Sequence, residues 1–135
     1  MRVVEVAGLA VELPATDPVL SLREADPPGR LLRIPIGMAE GVAIAYAWRQ
    51  LETPRPLTHE LFVEALGRFD LRVELVEVTE VRGRSFSGQL RLVGPQRSEV
   101  VPCRPSDGIA LALRQRPPAP ILVDDAVLEA AGTEG

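Results

Sequence analysis

The sequence has no lysine: all 15 basic residues are arginine, set against 19 aspartates and glutamates for a net charge of −4. A net-negative chain is poorly suited to coating nucleic acid without regard to sequence, because that mode of binding rests on a surplus of cations facing the phosphates. The use of arginine throughout has two readings, a bias of base composition or selection for bidentate contacts to phosphate and carboxylate. Cys103 is the sole cysteine, which excludes an internal disulfide framework and a cysteine-based zinc site and leaves the expectation of a buried thiol at a strand end. His59 is the sole histidine. Aromatic residues are scarce: Tyr46, Trp48, Phe62, Phe69 and Phe86 are the full set, and most fall at positions that suit a core rather than a stacking surface. No apolar run approaches the roughly 18 residues of a membrane span, and no basic segment leads into an apolar one at the N-terminus. The expectation is a cytoplasmic protein with no membrane contact. Phosphate-binding glycine loops, zinc spacings and a Ser-His-Asp order are also missing.

The charge that is present is unevenly placed. Residues 1–81 hold eight arginines and thirteen acids, whereas residues 82–116 hold seven arginines (Arg82, Arg84, Arg91, Arg97, Arg104, Arg114, Arg116) against Glu99 and Asp107. The final segment, with Asp124, Asp125, Glu129 and Glu134, is acidic again. At 135 residues and 46% apolar content, the length suits one domain with an ordinary core.

A twelve-residue pattern occurs twice. Ile34 to Ala45 (Ile-Pro-Ile-Gly-Met-Ala-Glu-Gly-Val-Ala-Ile-Ala) aligns without a gap on Val101 to Ala112 (Val-Pro-Cys-Arg-Pro-Ser-Asp-Gly-Ile-Ala-Leu-Ala), at an offset of 67 residues. Pro35 lies over Pro102, Glu40 over Asp107 and Gly41 over Gly108. Leu57 to Gly67 matches Leu122 to Gly132 at an offset of 65. Repetition of this kind points to an internal duplication.

Periodicity supports the same division. Strands are expected at Val3–Val11, Val19–Arg23 and Leu31–Pro35, with a turn through Pro14 to Pro18, followed by a helix over Met38–Leu51 that stops before Pro54 and Pro56. Thr58 is the expected N-cap of a second helix to Phe69, with Leu61, Phe62, Ala65 and Leu66 as its apolar stripe. The second half repeats the order: strands at Leu71–Val81 (Leu71, Val73 and Leu75 on one parity, Val76 and Val78 on the other), Ser85–Val93 and Glu99–Cys103. Arg82-Gly83-Arg84 and Gly94-Pro95-Gln96 form the turns between them. Ser106 is the expected cap of a helix to Arg114, Ile121–Val123 an extended link, and Asp124 or Asp125 the start of a last helix to Ala131. The helices after the paired motif are apolar almost all round, so Gly41 and Gly108 are expected where another backbone comes close. The fold class expected is α+β, a duplicated β-β-β-α-α unit with two similar half-sheets about a pseudo-twofold axis. Edge strands of such half-sheets favour a homo-oligomer.

The stretches Arg55-Pro56-Leu57-Thr58-His59-Glu60-Leu61 and Arg104-Pro105-Ser106-Asp107-Gly108-Ile109-Ala110-Leu111-Ala112-Leu113-Arg114, preceded by Ile36-Gly37-Met38-Ala39-Glu40-Gly41, occur in the order seen in the bifunctional nuclease family. The chain resembles that family from about Val3 to Ala131. The resemblance implies one domain over 1–135, with half-repeats of about 1–69 and 70–132, and a nuclease activity toward DNA and RNA; the partner expected is single-stranded or otherwise accessible RNA or DNA. Gly41 and Gly108 stand where that family usually has Ala, and Glu60 replaces its commoner Asp. No catalytic residue carries over from the family, so candidates come from the chemistry.

Phosphodiester hydrolysis needs an activated water, charge stabilisation at phosphorus and help for the leaving oxygen. His59, Asp107 and Glu40 are the catalytic candidates; Arg55, Arg104 and Ser106 are the phosphate-binding candidates, the last two at a helix start where an anion is favoured. Each has a structural reading beside the chemical one. His59 sits where helix-start residues satisfy local groups, Glu40 and Asp107 where a carboxylate complements the helix dipole, and Arg104 where it pairs with Asp107 or with a carboxylate of the other half. Glu40 and Asp107 brought together would supply two ligands to a divalent metal such as Mg²⁺, short of a full set. Arg82, Arg84 and Arg91 either extend an anion patch or simply keep a hairpin edge solvated. A noncatalytic domain that binds a small anion or a protein partner is the alternative function.

Overall fold

The computed structural model describes residues 1–135 apart from Glu12, Ala15 and Pro54. Among the described residues, seven strands and four helices follow in the order β1 (Arg2–Val11), β2 (Pro18–Glu24), β3 (Leu31–Pro35), α1 (Met38–Trp48), α2 (Thr58–Arg68), β4 (Arg72–Arg82), β5 (Ser85–Val93), β6 (Ser98–Cys103), α3 (Pro105–Leu113), β7 (Ile121–Val123) and α4 (Asp125–Ala131). The class is α+β. In place of two half-sheets there is one mixed sheet, ordered β3-β2-β1-β7-β4-β5-β6. The segment expected as a mere link, β7, is its middle strand: Ile121 pairs antiparallel with Val4 of β1 and parallel with Val76 of β4. A three-residue apolar run has no period that separates strand from link, so only its two neighbours define it.

Alternation selects the buried face. Leu20, Leu22 and Glu24 of β2 and Leu32 and Ile34 of β3 are buried, while Ser21 and Arg23 are not. In β4 the register shifts between Val73 and Leu75, and the inserted residue reverses parity so that Val73 and Val76, three apart, both enter the core. The sequence pattern assigns Val73 and Leu75 to one parity; the bulge is what overturns it. The helices lie against the sheet, α3 on β4 and β5, α1 on β1 and β2, and α4 across β3 and β4, and the core between is a single cluster. Ile109 of α3 and Ile44 of α1 are fully buried in it, each stabilising by about 2 kcal/mol.

Several helix details differ from the sequence pattern. Helix α3 begins at Pro105, which needs no partner for its missing N–H at that position, so Arg104 rather than Ser106 occupies the N-cap. Likewise Leu57 precedes α2, and Thr58 is its first residue rather than its cap. Asp124 does cap α4, accepting from the Ala126 N–H at 2.9 Å. Helix α1 stops at Trp48, short of Leu51, and the chain leaves it through Gln50 at φ 54; the stop expected at Pro54 lies outside the described residues, as does Ala15 in the turn before β2. No residue of α2 is buried: Val63 and Leu66 rest on the core, while Leu61 and Phe62 of the expected stripe are 58% and 47% exposed. Arg82 pairs with Glu80, and Arg91 lies 3.8 Å from Glu74 and 4.0 Å from Glu77. Among the described residues, no helix is long and apolar enough to cross a membrane.

At Gly41 and Gly108 the close neighbours are side chains, not backbone. A Cβ at Gly41 would lie 3.0 Å from Pro18 Cγ, and one at Gly108 only 2.5 Å from Val76 Cγ2 and 3.0 Å from Cys103 Sγ. Ala is favoured over Gly inside a helix by about 1 kcal/mol, yet overpacking a stiff, fully buried Val costs about 1–3 kcal/mol. Gly108→Ala is therefore expected to be net destabilising by about 1 kcal/mol. Val76→Ala should cost at least about 1 kcal/mol less in the Gly108→Ala background than alone, as read from urea titrations of the four proteins. Strict additivity would show that the two positions do not compete for space.

Candidate functional site

Helices α1 and α3 each follow a strand end and a proline, and they pack on one another with their first turns side by side. Glu40 and Asp107 are both the third residue of their helices, where a carboxylate faces unpaired N–H groups and the positive end of the helix dipole. The two copies solve the same local problem differently. In α1 the longer Glu40 folds back over Gly37, where a Cβ would lie 2.8 Å from Glu40 Oε2. In α3 the acid is one methylene shorter, and Arg104 stands where the first copy has glycine. That arginine joins the copies: its Nη1 lies 2.9 Å from Glu40 Oε1, and its Nε and Nη2 lie 2.9 and 2.8 Å from Asp107 Oδ2. Both pairings open to Arg104 in the sequence are made at once.

Helix α2 supplies the fourth member. His59, its second residue, places Nε2 2.9 Å from Asp107 Oδ1. An ionised carboxylate only accepts, so in the neutral imidazole this contact assigns the proton to Nε2 and the lone pair to Nδ1. The start of α2 is pinned to the end of α3 by Arg114, whose largely buried guanidinium donates to the Leu51 carbonyl at 3.1 Å and lies 3.4 Å from Glu60. Glu60 in turn accepts from the Leu57 N–H at 3.4 Å and from Thr53 Oγ1 at 3.1 Å. Glu40, His59 and Asp107 are half-buried to buried, whereas Arg104 is two-thirds exposed.

These four side chains line a groove of about 890 Å³ whose walls are otherwise mostly apolar, formed by Val42 of α1, Leu57 and Phe62 at the start of α2, and Val101, Pro102 and Cys103 of β6. Of the other candidates, Arg55 is exposed in the loop before α2 and Ser106 is buried in α3; neither lines the groove. The walls are what the sequence pattern misses. Phe62 falls three residues after His59 and so shares its helix face, a spacing that reads equally well as a core stripe.

The model of the Bifunctional nuclease domain matches residues 20–135. The chain belongs to this family. Two uncharacterized proteins from two strains of Mycobacterium tuberculosis are each 39% identical to it over 132 residues, covering 98% of this chain and 77% of theirs. In this bifunctional nuclease domain, the donor set does not fit a divalent metal: both carboxylates are engaged by one guanidinium, and among the described residues no three of His, Cys, Asp and Glu gather as ligands. Glu40 and Asp107 do meet, as the duplicated motif suggests, but around Arg104. The same neighbours bias that group: Asp107 first, then Glu40, raise the Arg104 pKa above its ordinary value.

Cys103 is half-buried on the groove wall, and burial, followed by the charge of Asp107, pushes its thiol up to about 11. The thiolate is the reactive form, so alkylation by iodoacetamide is expected to be slow at neutral pH and to rise steeply only toward pH 11. A plateau in rate below pH 9 would refute that environment.

Proposed function

We propose that this bifunctional nuclease domain hydrolyses phosphodiester bonds of DNA and RNA at the groove between α1, α2 and β6. The observation that carries the reading is the 2.9 Å contact between His59 Nε2 and Asp107 Oδ1 inside a groove that also holds Arg104. Because DNA has no 2′-hydroxyl, one site acting on both polymers cannot rely on that group, and we take water as the nucleophile. His59 Nδ1 takes the proton from that water as its oxygen bonds to phosphorus; the P–O bond to the leaving sugar oxygen breaks, and that oxygen takes up a proton from a solvent water. Asp107 orients the imidazole and stabilises its charged form, the role a carboxylate plays behind a general base. Arg104 spends three N–H groups on Glu40 and Asp107, and its remaining two are open to a phosphate oxygen. Glu40 fixes where that guanidinium sits.

The chain is further read as one domain over 1–135 whose halves, about 1–69 and 70–132, descend from one β-β-β-α-α unit. The strand order mirrored about β7 and the paired third-position acids support this reading. The activity is tested by incubating labelled single-stranded DNA and RNA with the wild type, His59→Ala and Arg104→Ala. Cleavage that His59→Ala abolishes and Arg104→Ala weakens is the expected result; folded variants cutting at the wild-type rate would reject the site.

A further inference from the structure

Resting on the nuclease reading, we infer that the apolar wall of the groove is a nucleobase site, with Phe62 as its stacking residue, so that the domain takes unpaired nucleotides. Three observations meet here. Phe62 is half exposed and lines the same groove as His59. Three residues apart on α2, the two side chains share one helix face, which sets an aromatic ring next to the imidazole. Leu57, Val42 and Val101 are exposed apolar side chains around the same groove, which gives a base a largely apolar surface to cover.

Charge decides against a duplex. Glu40 and Asp107 carry two negative charges and Arg104 one positive, so with a neutral imidazole the groove floor is net negative. A double helix turns its bases inward and offers phosphates, which this floor binds weakly. A single strand offers base faces as well, and stacking is the term this wall supplies. The salt dependence follows: with Arg104 the one arginine lining the groove among the described residues, log K against log salt should fall with a slope of about −0.7 for a single strand.

The experiment uses fluorescein-labelled oligo-dT and oligo-U of about ten nucleotides, alone and annealed to oligo-dA, with wild type, Phe62→Ala and Phe62→Tyr. Phe62 is not part of the core, and melting curves verify that the variants fold. Cleavage gives KM and kcat; anisotropy in a His59→Ala background gives Kd. The expected result is single strands preferred over duplex by at least about tenfold, and a rise of about tenfold in KM and Kd for Phe62→Ala with kcat within about threefold of wild type. Phe62→Tyr, which keeps the ring face, should restore KM. Unchanged KM and Kd in Phe62→Ala, or equal use of duplex, overturns the base site while leaving the nuclease reading intact. If the wild type cleaves nothing, the nuclease reading fails, and the anisotropy arm still decides the base site by whether Phe62→Ala weakens binding. A Phe62→Ala protein that loses an oligomeric state on a sizing column with oligonucleotide Kd unchanged shows the wall to be a contact between copies, which also overturns the inference.

Discussion

Asp107→Asn is expected to lower the rate of DNA and RNA cleavage about 10³-fold, with a smaller change in KM. The substitution keeps size and shape but replaces an acceptor-only carboxylate with an amide that presents one acceptor and one donor group. Facing Nε2, the amide no longer favours a proton there, and the tautomer that leaves Nδ1 free to accept is no longer held. Arg104 only donates, so it keeps the amide oxygen on its own side and turns the amide N–H groups toward Nε2; the substitution also removes the charge that stabilises the imidazolium as a proton is taken up. His59→Ala and the double variant should each fall to about the level of Asp107→Asn, because residues that act as a unit are not additive. Single-turnover rates at saturating oligonucleotide measure this. A ten-fold or smaller loss in Asp107→Asn, with His59→Ala inactive, would leave Asp107 as a support for α3 and remove it from the chemistry.

The second large effect concerns stability, at the opposite end of the sheet. Among the described residues Glu24 is the most enclosed carboxylate: its side chain accepts from Arg30 Nε at 2.5 Å, from the Arg30 backbone N–H at 3.0 Å and from Arg2 Nε at 2.9 Å. The hydrogen bonds from Arg30 outweigh the opposing cost of burial and hold its pKa down to about 2, against 4.5 for the free group. A carboxylate with a depressed folded pKa contributes stability above its unfolded pKa and loses it as pH falls through the folded one. The contribution is therefore fully present above about pH 5 and disappears between about pH 4.5 and pH 2. Its size is at most about 3 kcal/mol, and less where water screens the partly exposed arginines. Glu24→Ala removes the acceptor from two partly buried guanidiniums and should cost about 3 kcal/mol, a fall of roughly 10 °C in Tm. Thermal melts of wild type and Glu24→Gln from pH 7 to pH 2 test the assignment: the gap between the two curves must narrow with acid. Parallel curves would show that Glu24 does not titrate as its contacts require.

Most of the element order was legible locally. Strand alternation in β2 and β3, the prolines at Pro35 and Pro102, and acids followed by small apolar residues each act within a few residues, so their pattern survives in one dimension. The same holds for the shared frame of the two motif copies and for the third-position acids Glu40 and Asp107. The bulge in β4 was not legible, because it depends on how β5 pairs with it, and neither was the exposed face of α2, whose apolar residues read as core until the sheet leaves them uncovered.

Belonging to the α+β class, and the residue types from which a hydrolytic site could be assembled, were thus determined by the sequence itself. Tertiary structure alone decided that β7 is the central strand, that Arg104 rather than a metal lies between Glu40 and Asp107, and that His59 reaches Asp107 from 48 residues away. The physical reason is the same in each case. Those distances are set by the order of strands in the sheet and by which helices pack together, and the free energy of that packing belongs to pairs of elements rather than to any one stretch of chain.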